Sequence, residues 1–135
     1  MDLNSLNLTE QGDAGYTMQV VHPIDKTDIP GMTVRVRGDK SATVQAFERK
    51  RLTELTKREK VLRGKQKDTD FTIEEMEELA IQSAVIRVMS WTGFKENGEE
   101  LACTPENLAY VMKKYSWLRE QIKEAAEDLE NFRPE

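Results

Sequence analysis

The chain has few of the residues that build sites for chemistry. Its 135 residues include one cysteine, Cys103, and one histidine, His22. A single thiol can neither close an intrachain disulfide nor share a metal with a second thiol, so no oxidising compartment is required. His22 stands in a proline-flanked loop with no partner motif, and a base without a nucleophile or ligand set beside it does not make a catalytic centre. No Gly-rich phosphate loop, HExxH, GxSxG or paired-cysteine motif occurs. Long apolar runs are missing too. Residues 84–89 form the most apolar stretch, but Arg87 interrupts it and it falls far short of the roughly 20 residues that cross a bilayer. The opening Met1-Asp2-Leu3-Asn4-Ser5 lacks the basic region and apolar run of a secretory signal. The expectation is a protein without catalytic residues, cofactor, metal or membrane span.

Two weaker chemical signals resolve in the same direction. Cys103 precedes Thr104-Pro105, near a helix N-terminus that can lower a thiol pKa, but a small core or loop residue is the favoured role. Asp68, Asp70, Thr72 and Glu74 imitate the alternating ligands of a calcium loop, yet Ile73 stands where that loop turns on glycine and Leu79 where it needs a glutamate. The acidic run is better explained as charge complementing a helix start.

Charge is abundant and segregated. Charged residues make up 33% of the chain against 38% apolar ones, which suits a modest core with long solvated helix faces. Residues 45–67 hold nine Lys/Arg against three Glu, and residues 68–79 hold six Asp/Glu and no cation. The blocks can pair within one molecule or between copies. The basic stretch 49–67 is the one feature that suits nucleic acid, opposed by the net charge of −5 and by the lack of aromatics among its cations.

Periodicity predicts an α+β, mostly helical fold: an N-terminal β-hairpin packed on a bundle of three to four helices. Residues 1–15, polar and carrying Gly12 and Gly15, read as a flexible arm ahead of a single domain at 16–135. Tyr16-Thr17-Met18-Gln19-Val20-Val21 and the alternating Met32-Thr33-Val34-Arg35-Val36-Arg37 predict a hairpin over 16–38, joined by a connection at 22–31 with Pro23, Pro30 and Gly31. Val44, Phe47, Leu52, Leu55 and Leu62 predict a helix over about 41–63. A second is predicted over 73–92, capped by Thr72 with Glu75 in a capping box and Phe71 and Met76 as a staple, its second half apolar on most sides. Asn97-Gly98 marks a tight turn. Thr104 and Pro105 open a stretch over 105–132 in which Leu108, Val111, Tyr115, Leu118, Ile122, Ala125, Leu129 and Phe132 recur at steps of three and four. Ser116 offers a cap within it, so the stretch is one helix or two meeting between Tyr115 and Trp117.

From Trp91 onward the residues form a combination. Trp91-Thr92-Gly93-Phe94, Asn97-Gly98, Leu101, Thr104-Pro105-Glu106-Asn107, Tyr115-Ser116-Trp117-Leu118, Gln121-Ile122 and Asn131-Phe132 together resemble the C-terminal half of tail assembly chaperones of long-tailed bacteriophages. The likeness is detailed over about residues 88–132, and Ser116 stands where that family commonly has proline. The resemblance implies a non-enzymatic assembly factor that coats the tape-measure protein and keeps it soluble, contacts the tail tube protein and self-associates. It further implies action in the host cell cytoplasm and absence from the mature virion. Large aromatics often anchor interfaces, so Trp91, Phe94, Tyr115 and Trp117 are the candidate partner-binding residues, with core filling as the alternative role. The alternative function is a small nucleic-acid-binding morphogenesis or regulatory protein using the basic helix 49–67.

Overall fold

The computed structural model describes residues 2–63 and 72–133, with side chains through Arg58 in the first segment. The fold is α+β and mostly helical. β1 (Tyr16–Val21) pairs antiparallel with β2 (Asp28–Val36), matching Tyr16 to Val36 and Met18 to Val34. Alternation decides the faces. Met18, Val20, Val34 and Val36 are buried on one side, while on the other Arg35 donates to Thr17 Oγ1 at 2.8 Å. The turn between the strands is shorter than the sequence suggests. Pro30 and Gly31 lie inside β2, where pairing with β1 is irregular and the Gln19 amide donates to the Ile29 and Met32 carbonyls.

The helix predicted over 73–92 stops early. α3 (Ile73–Arg87) gives way to β3 (Val88–Thr92), which pairs antiparallel with β2 through Val34–Trp91 and Arg35–Ser90, so the sheet order is β1-β2-β3. Val85, Ile86, Val88, Trp91 and Thr92 are strand-forming types, and the all-round apolar character comes from a strand entering the core. Arg37 closes the junction by donating to the carbonyls of Ile86 at 2.8 Å and Val88 at 3.3 Å. Arg87, the charge that interrupts the apolar run, is buried: its Nε donates to Asp39 Oδ1 at 2.8 Å and its guanidinium to the Ser83 carbonyl at 2.8 Å.

The expected flexible arm contains a 3-10 turn (Leu3–Leu6) and α1 (Leu8–Ala14). Gly12 serves close approach here, since a Cβ on it would fall 2.8 Å from the Ser41 nitrogen. Next to it, Asp13 Oδ1 accepts from the Ala42 N–H at 2.8 Å and so caps α2 (Ala42–Arg63), as does Ser41 Oγ from the Val44 N–H at 3.1 Å. Among the described side chains of α2, only those at its start reach the core. Val44 is buried, Phe47 and Leu55 are half-buried, Leu52 is 63% exposed, and Leu62 lies outside the described side chains.

α3 opens as read from the sequence. Thr72 Oγ1 accepts from the Glu75 N–H, and the Glu75 carboxylate accepts from the Thr72 N–H. Of the proposed staple, Phe71 lies outside the described residues and Met76 is exposed. Ile73 is exposed as well, whereas Ile81 and Ala84 are buried. The stretch over 105–132 is three elements: α4 (Pro105–Lys114), α5 (Ser116–Glu127) and a 3-10 turn (Leu129–Phe132). The break falls at Tyr115, and Ser116 begins α5 without a side-chain cap. Val111, Met112, Leu118, Ile122 and Ala126 pack with Val20, Val34, Val36 and Ile81 into one core. The seam thus faces inward, apart from Leu129 at its end.

Candidate partner-binding groove

Residues 93–104 set the site's geometry. Asn97 and Gly98 take the positive φ values of a two-residue hairpin turn, 53° and 82°, between β4 (Lys95–Glu96) and β5 (Glu99–Glu100). The Leu101 N–H donates to the Phe94 carbonyl at 2.9 Å, and Trp91 Nε1 donates to the Leu101 carbonyl at 2.7 Å. These bonds lay Phe94 flat on Trp91, with centroids 4.6 Å apart and planes 8° from parallel. Thr104 then caps α4, its hydroxyl accepting from the Asn107 N–H at 3.2 Å, while Asn107 Nδ2 donates back to the Ala102 carbonyl at 2.8 Å.

An apolar groove of about 320 Å³ opens over Phe94. Phe94, Leu101, Val111 and Leu118 line it together with Ile29 and Met32 from β2, Tyr115 and Trp117 from the helix break, and His22, Pro23 and Lys95. Three of the four candidate residues, Phe94, Tyr115 and Trp117, therefore share one concavity. Trp91 does not line it; it is buried behind Phe94 and supports it. The break at Tyr115 matters for this arrangement, because it lets Tyr115 and Trp117 meet edge to face at 6.4 Å and 70° beside the groove.

A polar network fixes Tyr115. Glu96 accepts from Tyr110 at 2.7 Å, from Tyr115 at 2.5 Å and from Lys114 at 3.2 Å. The two phenol hydrogen bonds, then the lysine, hold the Glu96 carboxyl down at about 2 against an ordinary 4.5. Lys114 is raised, chiefly by its hydrogen bonds to Tyr110 and Glu96, and Tyr115 is raised, first by its hydrogen bond to Glu96.

The remaining sequence candidates take structural places. His22 Nδ1 accepts from the Ile24 and Asp25 N–H groups at 3.1 and 3.3 Å, ordering the turn at the groove's lip. Burial pushes the Cys103 thiol up rather than down. Asp68 and Asp70 lie outside the described residues, Thr72 is spent on its cap, and among the described residues no cluster of three His, Cys, Asp or Glu is placed to hold a metal. On the basic stretch, Arg49, Lys50 and Lys57 are exposed, Arg51 faces Glu48 at 3.9 Å, and Arg58 pairs with Glu75 of the acidic block. Among the described residues no helix is long and apolar enough to cross a membrane.

Sequence reasoning missed Ile29, Met32, Leu101 and Lys95. No local pattern links the proline-rich connection at residue 29 to the hairpin at residue 95; they are brought together by β3, a strand in a run that reads locally as helix. No protein-family model matches the chain, and no match appears among curated proteins or solved structures.

Proposed function

We propose that this chain is a phage tail assembly chaperone: a non-enzymatic factor, acting without a cofactor in the host cell cytoplasm, that binds the tape-measure protein, keeps it soluble and helps recruit the tail tube protein. One observation carries the reading. Phe94, Tyr115 and Trp117, which belong to the residue combination resembling that family, line a single apolar groove whose aromatic walls are braced from behind by Trp91 and from the side by Glu96. Buried aromatics in a shaped concavity are the usual anchors of protein recognition. Self-association belongs to the same reading, as does absence from the finished virion.

Co-expression with a tape-measure protein tests it. The tape-measure protein is expected to move from the insoluble to the soluble fraction and to co-purify with this chain; unchanged solubility and no co-purification would count decisively against the reading. The same reading expects no salt-dependent binding of the basic face of α2 to duplex DNA, measured at low ionic strength.

A further inference from the structure

Five asparagines occur in the chain, and Asn97 alone is followed by glycine. An asparagine side-chain amide is an electrophile for the main-chain nitrogen of the next residue, and a side chain on that residue obstructs the approach. Leu8, Leu108 and Phe132 shield Asn7, Asn107 and Asn131 in this way. Those three amides are also engaged: Asn7 Oδ1 accepts from the Thr9 N–H at 2.9 Å, and Asn107 and Asn131 donate to the Ala102 and Ala125 carbonyls at 2.8 and 3.0 Å. Asn4 precedes Ser5 within a 3-10 turn. At Asn97 nothing intervenes. Asn97 and Gly98 are exposed, and nothing lies within 4 Å of a Cβ placed on Gly98. Among the described residues neither the Asn97 amide nor the Gly98 N–H has a hydrogen-bond partner.

What restrains the pair is the turn itself. Ring closure between the Gly98 nitrogen and Asn97 Cγ requires rotation about the Asn97 Cα–C bond, which stays fixed while the hairpin holds Asn97 at φ 53° and Gly98 at φ 82°. The hairpin is short: β4 and β5 contribute the pairs Lys95–Glu100 and Glu96–Glu99. Two-stranded hairpins are marginal, and carboxylates at opposite positions weaken a pair. Against this, Glu96 is held by Tyr110, Lys114 and Tyr115, and the Leu101 N–H by the Phe94 carbonyl. The closed turn therefore prevails and opens locally.

We propose that Asn97-Gly98 is a spontaneous modification site whose rate is set by opening of the 95–100 hairpin. Hydroxide removes the Gly98 N–H proton, and the nitrogen attacks Asn97 Cγ. The bond from Cγ to the amide nitrogen breaks, and ammonia leaves with a proton drawn from water, which regenerates the hydroxide. The five-membered imide then adds water: opening at Cγ leaves aspartate, opening at the main-chain carbonyl leaves isoaspartate, and nothing is oxidised or reduced. Either product adds a carboxylate beside Glu96, Glu99 and Glu100, with Lys95 the nearest cation in sequence. Isoaspartate also lengthens the main chain of the turn by one carbon. Both changes loosen the hairpin's hold on Glu96, and through Glu96 on Tyr115. The site does not depend on the chaperone reading.

Incubation of the whole chain in mildly alkaline buffer, followed by peptide mapping with mass spectrometry, tests it. The peptide containing Asn97 is expected to gain the mass that separates an acid from an amide, at a rate proportional to hydroxide, while the peptides holding the other four asparagines stay unchanged. Hydroxylamine, which cleaves the imide, should cut the native chain between Asn97 and Gly98. A synthetic peptide of residues 94–101, which has no closed turn, should convert about tenfold faster than the chain. Glu96→Gln, which loosens the hairpin, should speed conversion in the chain and leave the peptide's rate unchanged. Asn97→Gln, which would need a larger ring, should abolish both the mass gain and the cleavage. No conversion at Asn97, conversion as fast at another asparagine, or equal rates in chain and peptide would overturn the proposal.

Discussion

Gly93 and Gly98 share a left-handed backbone, at φ 79° and 82°, but not an environment: a Cβ on Gly93 would lie 2.3 Å from the Gly31 carbonyl oxygen, while nothing lies within 4 Å of one on Gly98. Gly98→Ala is therefore expected to cost about 1 kcal/mol, the penalty of a positive φ. Gly93→Ala should cost about 3 kcal/mol or more, because the chain beside Gly31 must move as well. Urea unfolding of the two variants measures the difference, and equal losses would refute the close approach. Glu96 gives a residue-scale prediction in pH. Its carboxyl is depressed from 4.5 to about 2, so the stability contributed by its hydrogen bonds is complete above 4.5 and is lost as pH falls through about 2. Glu96→Gln should accordingly lower the melting temperature by a steady amount above pH 4.5 and by a shrinking amount below it, as thermal scans at stepped pH would record. A gap that stays constant down to pH 2 would mean that Glu96 is not held ionised by its neighbours.

Elements whose signals are local were legible in the sequence, and elements defined by distant partners were not. The capping box at Thr72 and Glu75, the cap at Thr104 and the turn at Asn97-Gly98 each span at most four residues and appear where their residues predict them. β3 exists because β2, some fifty residues earlier, offers it an edge, so an apolar run that reads locally as helix becomes strand. The packing of α1 was hidden for a similar reason: Gly12 signals flexibility until Ser41 is seen against it. At the candidate site the aromatics stood out by type, but their division into one support and three lining residues depended on that strand. Arg87 is the clearest element-scale test. It joins α3 to Asp39 ahead of α2, and Asp39→Ala leaves a buried guanidinium short of its closest carboxylate, with Glu48 at 3.6 Å a longer contact. A loss of about 2 kcal/mol is expected, moderated by the partial exposure of Asp39. The double variant with Arg87→Met should lose less than the sum of the single changes. Strict additivity in denaturant unfolding would show that the pair is not coupled.

Across the whole molecule, apolar burial is uneven. The sheet, the second half of α3, α4 and α5 share one core, while Leu52 on α2 and Ile73 and Met76 on α3 stay exposed, and the ion pair of Arg58 with Glu75 links the two helices there. An exposed pair of this kind contributes at most about 1 kcal/mol. The outer part of the α2–α3 unit should therefore open without unfolding the rest, since local stability follows local apolar contact. Two measurements check this together. Amide hydrogens of residues 50–57 and 74–79 should exchange markedly faster than those of residues 118–126 in α5. Leu52→Gln and Met76→Gln should each change unfolding stability by less than about 0.5 kcal/mol, against about 2 to 4 kcal/mol for Ile81→Ala, which leaves a cavity in the core. If the outer positions proved as sensitive as Ile81 and exchanged as slowly as α5, the exposed residues would be covered in solution. Concentration dependence of the melting temperature would then identify a second copy of the chain as the cover.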